Sequence, residues 1–151
     1  MCADPEVMRY LPAVLAPKES DAQIDRFIRH WNEHGYGLWA VEEKESGNFT
    51  GFIGLSRHED WTASQHKTEI GWRLEKKFWG RGFATEGALA GLPFGFKKVG
   101  LEGITSICDP RNRASRRVME KIGMKFGGEV LFRGYKDVYC EIRREEWRQS
   151  C

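Results

Sequence analysis

Residues 69–85 read Glu-Ile-Gly-Trp-Arg-Leu-Glu-Lys-Lys-Phe-Trp-Gly-Arg-Gly-Phe-Ala-Thr, and this stretch decides how the rest of the chain is interpreted. Its first part has the period of two that is typical of a β-strand, with Ile70, Trp72 and Leu74 on one face. Its second part has glycines at 80 and 82, which predict a turn, and residues 84–86 can begin a helix. A strand that runs through glycines into a helix presents a concave row of backbone N–H groups. Such a row favours an anion such as a phosphate.

The composition around this stretch is that of an ordinary globular protein. With 151 residues, 40% hydrophobic and 30% charged, we expect one domain spanning residues 1–151. A net charge of +2 with interspersed signs indicates no general nucleic-acid or membrane partner. No apolar run approaches the length of a membrane span. The four cysteines are scattered without metal-binding spacing, so we expect no metal and a reduced, cytoplasmic protein.

The N-terminal part of the chain predicts one helix. Residues 1–17 contain three prolines and are interpreted as an irregular lead-in with a short helical turn. Ser20 and Gln23 fit a capping box for a helix that ends near Asn32. Four apolar positions at helical spacing are expected to face the core: Ile24, Phe27, Ile28 and Trp31.

The middle of the chain predicts a hairpin, a loop and a second helix. Residues 38–41 and 49–56 are interpreted as an antiparallel hairpin, and residues 58–67 as an exposed loop. After Gly82 a helix is expected to extend to about Val99, with an interruption or kink at the internal proline, Pro93. Three glycines spaced four apart leave one side of this helix nearly bare for close packing: Gly87, Gly91 and Gly95.

The C-terminal part predicts a strand over 101–108 and a helix from an Asn112 cap to Ile122. Strands over 124–132 and 138–142 and a polar tail follow. The order is helix, three strands, helix, strand, helix and two strands, which favours one mixed α/β sheet.

The glycine turn could belong to one of three kinds of phosphate-binding loop: a Walker loop, a dinucleotide-binding loop or a coenzyme A loop. A Walker loop needs Gly-x-x-x-x-Gly-Lys-Ser/Thr, which the sequence lacks. A dinucleotide fingerprint needs a third glycine where Thr85 stands. Glu102 lies 20 residues past Gly82, as a ribose-binding acid would, but a hairpin replaces the βαβ start. The third kind of loop would hold the pyrophosphate of coenzyme A.

Two motifs carry a family resemblance. Residues 77–84, Lys-Phe-Trp-Gly-Arg-Gly-Phe-Ala, resemble the Gln/Arg-x-x-Gly-x-Gly/Ala acyl-CoA signature of the GNAT N-acetyltransferases, with Lys77 at the Gln/Arg position. Residues 112–126, Asn-Arg-Ala-Ser-Arg-Arg-Val-Met-Glu-Lys-Ile-Gly-Met-Lys-Phe, resemble the second landmark of that superfamily. The Trp-Gly-x-Gly-x-Ala, Asn-x-x-Ser and Glu-Lys-x-Gly-Met patterns further resemble the RimJ/RimL-like branch of ribosomal-protein N-terminal acetyltransferases.

The resemblance implies a fold. It is the GNAT acyl-CoA N-acyltransferase fold, a three-layer mixed α/β (α+β) arrangement whose mostly antiparallel sheet contains one splayed parallel pair, here 70–74 and 104–108. Members usually begin with a strand and a helix ahead of the segment that resembles residues 4–8. We therefore expect the sheet to lack the family's first strand. Either its edge is left to be covered, or a partner chain covers it, as in a homodimer.

The resemblance also implies acetyl-CoA as cosubstrate. Its pantetheine arm would lie between the splayed strands, and its pyrophosphate on the N–H groups of 81–85. The implied binding residues are Trp72, Arg73, Leu74, Lys77, Gly80, Arg81, Gly82, Phe83, Ala84, Thr85, Asn112 and Ser115. An ordinary glycine turn and an ordinary N-cap at Asn112 are alternatives that need no ligand. Four arginines could bind the 3′-phosphate or form a solvated helix face: Arg111, Arg113, Arg116 and Arg117.

Ser115 and Glu69 are the predicted catalytic residues. Many GNAT enzymes place a tyrosine acid four residues after this serine, where the present chain has Met119. Ser115 is therefore expected to donate to the leaving thiolate, whose thiol has a pKa near ~8.5. Glu69 lies on the strand where several GNAT enzymes carry a base. The alternatives are a plain first-turn serine and a solvated glutamate. Loop residues are expected to shape the acceptor pocket: His58, Glu59, Asp60, Trp61 and His66.

The expected activity is transfer of an acetyl group from acetyl-CoA directly to a primary amine. A protein or peptide α-amine is the first hypothesis. A small-molecule amine, such as a polyamine, an amino acid or an antibiotic, is the second. A non-catalytic acyl-CoA-binding module is the third.

Overall fold

A computed structural model of the chain describes residues 1–149. The helices are α1 (Pro17–His34), α2 (Phe83–Pro93), α3 (Arg113–Lys121) and α4 (Arg144–Gln149). The strands are β1 (Leu38–Glu42), β2 (Phe49–Arg57), β3 (Thr68–Leu74), β4 (Gly103–Cys108), β5 (Lys125–Phe132) and β6 (Tyr135–Arg143). A 3-10 helix spans Lys76–Phe78 and a π-helix spans Phe94–Val99. Within the described residues, no helix is both long and apolar enough to cross a membrane.

The strands form a mixed sheet in the order β1-β2-β3-β4-β6-β5. Every neighbouring pair is antiparallel except β3 and β4, which are parallel. Helices α2 and α3 cover one face and enclose the main core, while α1 lies on the other face. The predicted mostly antiparallel sheet with one parallel pair is therefore confirmed. The main core contains side chains from β2, β3, α2, β4, α3 and β6, for example Leu55, Ile70, Leu92, Ile104, Met119 and Ile142.

Helix α1 begins earlier than predicted. Pro17 occupies the first helical turn, where its fixed φ suits the helix and its missing N–H costs nothing. The Glu19 carboxylate accepts a hydrogen bond from the N–H of Ala16 at 2.7 Å. Ser20 therefore lies inside the helix, and the predicted capping box at Ser20 and Gln23 is wrong.

The inward face of α1 is also rotated from the predicted apolar stripe. Ile24 and Ile28 are 48% and 55% exposed. Their place is taken by Gln23, which accepts from Arg73 at 3.1 Å, and by His30, whose Nε2 accepts from the N–H of Arg57 at 2.9 Å. The prediction is correct for the other two positions, because the Phe27 ring packs against Phe52 and the Trp31 ring against Trp39. The polar groups beside them are satisfied by polar side chains of α1.

Helix α2 lies close against the centre of the sheet. Its regular part ends at Pro93 and continues as the π-helix, so the predicted interruption at this proline is confirmed. A Cβ at Gly87 would lie 2.4 Å from Cδ1 of Ile53, and one at Gly95 would lie 2.8 Å from Cδ1 of Ile104. Gly95 is already in the π-helix. Ile53 pairs with Trp72, and a Cβ at Gly91 would lie 3.0 Å from Cδ1 of Ile70, so α2 begins near the carboxyl end of β3 and runs back along it.

The loop over residues 58–67 is less exposed than predicted. Trp61 is only 2% exposed, and its ring packs edge-on against Phe132 and Tyr139 at centroid distances of 5.2 Å each. The β5–β6 hairpin supplies both partner rings. Because the covering hairpin is distant in sequence, local polarity could not predict the burial of Trp61.

Gly54→Ala is expected to destabilise the sheet. A Cβ at Gly54 would lie 2.3 Å from the carbonyl oxygen of Gly37 and 2.7 Å from the Cα of Leu38, and backbone atoms cannot rotate away. We expect the free energy of unfolding to fall by about 1–3 kcal/mol. Urea denaturation measures this change. Gly71→Ala is the control, because its Cβ would meet only the Glu69 carboxylate at 3.7 Å. Equal stabilities of the two variants would contradict the prediction.

Candidate active site

The gap between β3 and β4 is the central feature of the site. Strand β3 pairs with β2 from Thr68 to Leu74, yet its register with β4 contains one pair, Glu69 with Thr105. Near this pair the Thr105 hydroxyl donates to the carbonyl of Thr68 at 3.3 Å. Towards their carboxyl ends the two strands therefore separate, and backbone groups along the gap are left for another partner.

The glycine turn lies at the open end of this gap. Gly80 and Gly82 have φ values of 71° and 91°, and a Cβ at either position would meet nothing within 4 Å. Glu86 makes the first helical bond, to the carbonyl of Gly82 at 2.9 Å. The N–H groups of Phe83, Ala84 and Thr85 therefore lack an acceptor within the helix. In the described residues no side chain caps this end of α2.

Two cations border the turn. Arg81 pairs with Glu43, and its guanidinium lies over the rings of Phe78 and Phe83 at 5.6 Å and 5.2 Å. Lys77 lies 3.1 Å from the Glu75 carboxylate, and its side chain is 63% exposed. Both positive charges are at the rim of the glycine turn, where they add to the positive end of the helix dipole.

Helix α3 contributes a hydroxyl on the same face of the sheet. The side-chain amide oxygen of Asn112, Oδ1, accepts a hydrogen bond from the N–H of Ser115 at 3.1 Å, so Asn112 is the N-cap of α3. The indole N–H of Trp72 donates to the Ser115 hydroxyl at 3.3 Å. Because an indole N–H can only donate, the Ser115 oxygen accepts this bond, and its own proton is available for another acceptor.

Glu69 lies on the opposite face of the sheet from Ser115. Side chains alternate along β3, so Glu69 points away from Ile70 and Trp72, which pack towards α2 and α3. The Glu69 carboxylate lies 2.7 Å from Nε2 of His58. The Nδ1 atom of His58 lies 3.3 Å from the guanidinium of Arg133.

A cleft of about 580 Å³ opens beside Glu69 and His58. Its other walls are the segments 9–12, 107–111 and 132–137. The hydrogen bonds from Arg111 lower the pKa of Asp109, which lies in this wall. Burial raises the pKa of Asp137, and the negative charges of Asp109 and Glu69 raise it further. The cleft therefore stabilises an added positive charge near Asp137.

Burial raises the pKa of Cys108, in the same cleft, to about 12. Burial also raises the pKa of Cys140, on the neighbouring strand. Both groups are thiols at neutral pH and are poor nucleophiles. Residues 1–149 contain no group of three or more histidine, cysteine, aspartate or glutamate side chains placed to hold a metal ion.

The family model described as "Acetyltransferase (GNAT) domain" matches residues 1–125. The chain belongs to the GNAT acetyltransferase family. It is 36% identical over 129 residues to the protein YkkB of Bacillus subtilis, covering 84% of this chain and 73% of YkkB. It is 30% identical over 151 residues to the N-acetyltransferase YnaD of Bacillus subtilis, covering 96% and 85% of the two chains. A GNAT acetyltransferase from Bacillus anthracis has a similar structure, with a TM-score of 0.77, 28% identity and coverage of 96% and 86%.

These similarities identify the protein as an acetyl-CoA-dependent N-acetyltransferase with the GNAT fold. The fold implied by the sequence resemblance is therefore correct. The structure brings most of the predicted cofactor-binding residues to the gap and the glycine turn. The group comprises Trp72, Lys77, Gly80, Arg81, Gly82, Phe83, Ala84, Thr85, Asn112 and Ser115.

Two other predicted cofactor-binding residues are engaged elsewhere. The Arg73 guanidinium lies on the α1 face, 3.1 Å from Gln23 Oε1 and 5.1 Å from the centre of the Phe52 ring. Strand alternation directs it there, so only the backbone of Arg73 faces the gap. The Leu74 side chain is buried, and its carbonyl accepts from the Trp79 indole at 2.9 Å.

The predicted acceptor loop contributes one residue to the cleft, His58. Trp61 is buried, and Glu59 pairs with Arg57. His66 is turned towards Gly103 and lies 3.8 Å from the Glu141 carboxylate. Asp60 contributes indirectly, through Arg133.

Sequence reasoning missed most of the cleft wall, namely segments 9–12 and 132–137. The position of segment 132–137 could have been predicted once the strand order was known. Strand β6 runs antiparallel to β4, so the hairpin turn before β6 must lie beside the carboxyl end of β4. The basic cluster of α3 is exposed, and Arg111 is held by Asp109 at 2.6 Å.

Proposed function

We propose that this GNAT enzyme transfers the acetyl group of acetyl-CoA directly to a primary amine, with Glu69 as the base and Ser115 as the acid. One observation carries the proposal. The two side chains lie on opposite faces of the same splayed strand pair, so donor and acceptor can approach the gap from opposite sides. We place the chain in the RimJ/RimL-like branch on its Trp-Gly-x-Gly-x-Ala and Asn-x-x-Ser patterns.

The residues of the gap and the glycine turn fit acetyl-CoA. Bound there, acetyl-CoA supplies a thioester that an amine can attack without prior activation. The N–H groups of Phe83, Ala84 and Thr85 face the open space beside Gly80 and Gly82 and suit a pyrophosphate. The unpaired backbone of β3 and β4 suits the amides of the pantetheine arm.

Proton movements are assigned to the two catalytic residues. The acceptor ammonium gives one proton to the Glu69 carboxylate, which leaves a lone pair on nitrogen. The nitrogen–carbon bond forms as the carbon–sulfur bond breaks. The Ser115 hydroxyl gives its proton to the leaving sulfur, and the second proton of the nitrogen restores the hydroxyl. Glu69 returns its proton to solvent, so the overall reaction releases one proton.

Direct transfer is favoured over an acetylated enzyme. The cysteine that lines the cleft, Cys108, is a buried thiol whose pKa is raised to about 12. A thiol with so high a pKa forms little thiolate at neutral pH and is a poor nucleophile toward a thioester. Holding amine and thioester together then supplies much of the rate.

We propose a protein or peptide α-amine as the acceptor. Arg9 and Lys136 line the cleft and form no ion pair within residues 1–149. Such cations can bind the carbonyl and carboxylate groups of a peptide, and they repel a polycation. Asp137 favours the second candidate, a small-molecule amine, because a cation beside it would be stabilised. A cytoplasmic location, one domain over residues 1–151 and a homodimer stay predictions.

An acceptor screen tests the proposal. Thiol release from acetyl-CoA is followed with N-terminal peptides, amino acids, polyamines and aminoglycosides. We expect turnover with peptides, and mass spectrometry should locate the acetyl group on the α-amine. Turnover with polyamines alone would support the small-molecule candidate. Tight acetyl-CoA binding without turnover on any amine would indicate a binding module and overturn the proposal.

Ser115→Ala is expected to lower kcat by about tenfold to 100-fold, because the leaving thiolate loses its proton donor. The KM for acetyl-CoA should stay within about twofold, since the Asn112 cap and the glycine turn are unchanged. Steady-state kinetics separate the two parameters. Ser20→Ala is the control, because this serine lies in the early part of α1, far from the gap. Wild-type kcat in the Ser115 variant would remove this residue from the mechanism.

A further inference from the structure

We propose that Arg133 and Asp60 are positioning residues that hold His58 as the neutral tautomer with its proton on Nε2, which is donated to the Glu69 carboxylate. The catalytic consequence rests on the proposed role of Glu69. The tautomer itself does not, because it follows from hydrogen bonding among the side chains of the cleft.

The four side chains form a continuous row. The Asp60 carboxylate accepts two hydrogen bonds from the Arg133 guanidinium, at 2.8 Å from Nε and 2.9 Å from a terminal nitrogen. That terminal nitrogen lies 3.3 Å from Nδ1 of His58. The opposite ring nitrogen, Nε2, lies 2.7 Å from the Glu69 carboxylate. The bidentate pair with Asp60 therefore aims the guanidinium at the histidine.

Donor and acceptor chemistry leaves one assignment for the ring. A guanidinium has only donors, so Nδ1 must accept and carries no proton. An ionised carboxylate has only acceptors, so Nε2 must donate and carries the proton. The His58 ring is therefore neutral, and Arg133, at the ring nitrogen opposite Glu69, sets its tautomer.

The backbone at Arg133 suits this interpretation. Its φ is 50°, the left-handed region, and Gly134 follows with a φ of 85°. Two-residue hairpin turns of this kind favour asparagine and glycine, not arginine. Arg133 is placed there despite this preference, and its side chain covers the Phe132 ring at 4.7 Å while it reaches Asp60 and His58. The Phe132 ring packs against His58 at 5.8 Å.

The arrangement keeps Glu69 able to accept a proton. A second proton on His58 would have to sit on Nδ1, against the guanidinium. Without Arg133, His58 could become an imidazolium that pairs with Glu69, and this pair would accept the ammonium proton less readily. Other charged and titratable groups also act on the pair: His30 on α1, Asp60 in the loop and Asp137 on β6. Their electrostatic effects on His58 and Glu69 are the same in the wild type and in each variant that retains these groups.

Nuclear magnetic resonance reads the tautomer directly. Long-range ¹H–¹⁵N spectra of ¹⁵N-labelled protein distinguish a protonated ring nitrogen from an unprotonated one, and His58→Gln assigns the signals. In the wild type we expect protonated Nε2 and unprotonated Nδ1. In Arg133→Asn and Asp60→Asn we expect a mixture of tautomers at neutral pH and an imidazolium in acid. Asparagine suits the left-handed position better than arginine, so the first variant should fold.

The pH profile gives the catalytic readout. If His58 is no longer held neutral, its imidazolium pairs with Glu69 in acid, so Arg133→Asn should lose severalfold more kcat/KM than the wild type between about pH 8 and about pH 6. The wild type should show no such additional loss. Arg57→Gln is the control, because the Arg57 guanidinium pairs with the neighbouring loop residue Glu59 and lies outside the row that joins Asp60 to Glu69. Its spectrum and the shape of its profile should match the wild type.

A protonated Nδ1 in the wild type, or spectra unchanged in both Arg133→Asn and Asp60→Asn, would overturn the proposal. Altered spectra with an unchanged pH profile would overturn its catalytic part. The expected spectra in a protein that acetylates no amine would instead count against the proposed function. The two failures are therefore distinguishable.

Discussion

Glu69→Gln is expected to lower kcat/KM for the amine by about 10²- to 10⁴-fold, the contribution typical of a positioned general base. Glutamine keeps the size of the side chain and an oxygen that can accept from His58, but it cannot take a proton from the ammonium. Acetyl-CoA affinity should stay within about twofold, because Glu69 faces the cleft on the α1 side. Steady-state kinetics and calorimetric titration with acetyl-CoA measure the two effects.

The pH dependence sharpens the prediction for Glu69. As the pH rises, more of the acceptor amine is already unprotonated in solution, so the difference between Glu69→Gln and the wild type should narrow. Glu120→Gln is the control, because Glu120 is an exposed residue of α3 that lies 3.9 Å from Arg117. A loss below about threefold at all pH values would indicate that positioning of the two substrates supplies the rate without this base.

Gly82→Val is expected to weaken acetyl-CoA binding by about tenfold to 100-fold. The φ of Gly82 is 91°, a region that costs a residue with a Cβ about 1–2 kcal/mol. The new side chain would also enter the open space beside the N–H groups of α2. Strain and obstruction both oppose the bound pyrophosphate. Calorimetric titration with acetyl-CoA gives the change in Kd.

A matched control separates strain from obstruction. Gly35 also has a positive φ, 72°, and an open surrounding, but it ends α1, which lies on the other face of the sheet from α2. Gly35→Val should lose similar stability and keep the wild-type Kd for acetyl-CoA. If both variants bind acetyl-CoA equally well, the glycine turn does not hold the pyrophosphate.

Local patterns were sufficient for the elements that position the cosubstrate. The alternation through Ile70, Trp72 and Leu74 defines β3 and directs Trp72 to the face that carries α3. The glycines at 80 and 82 mark the turn, and the Asn112 cap places Ser115 in the first turn of α3. Each of these features depends on residues close together in the chain, where backbone geometry and helix capping act directly.

The same local rules could not predict the acceptor side. Ile24 and Ile28 have helical spacing, yet they are exposed, because α1 contacts the sheet through a different face, which includes Gln23, Phe27 and His30. Trp61 lies in a polar loop, yet it is buried because the β5–β6 hairpin covers it. In both cases the outcome depends on a surface supplied by residues that are distant in sequence.

The sequence by itself determined strand β3, the glycine turn and the resemblance to the GNAT family, because these depend on short-range periodicity and on motifs with fixed spacing. The splayed strand pair was implied only through that resemblance. Only the tertiary structure decided that Ser115 and Glu69 lie on opposite faces of one gap. It also brought Asp60, His58 and Arg133 into one row with Glu69. Such a row joins a loop, a strand and a hairpin turn, and their meeting depends on the packing of the whole sheet, which no local pattern specifies.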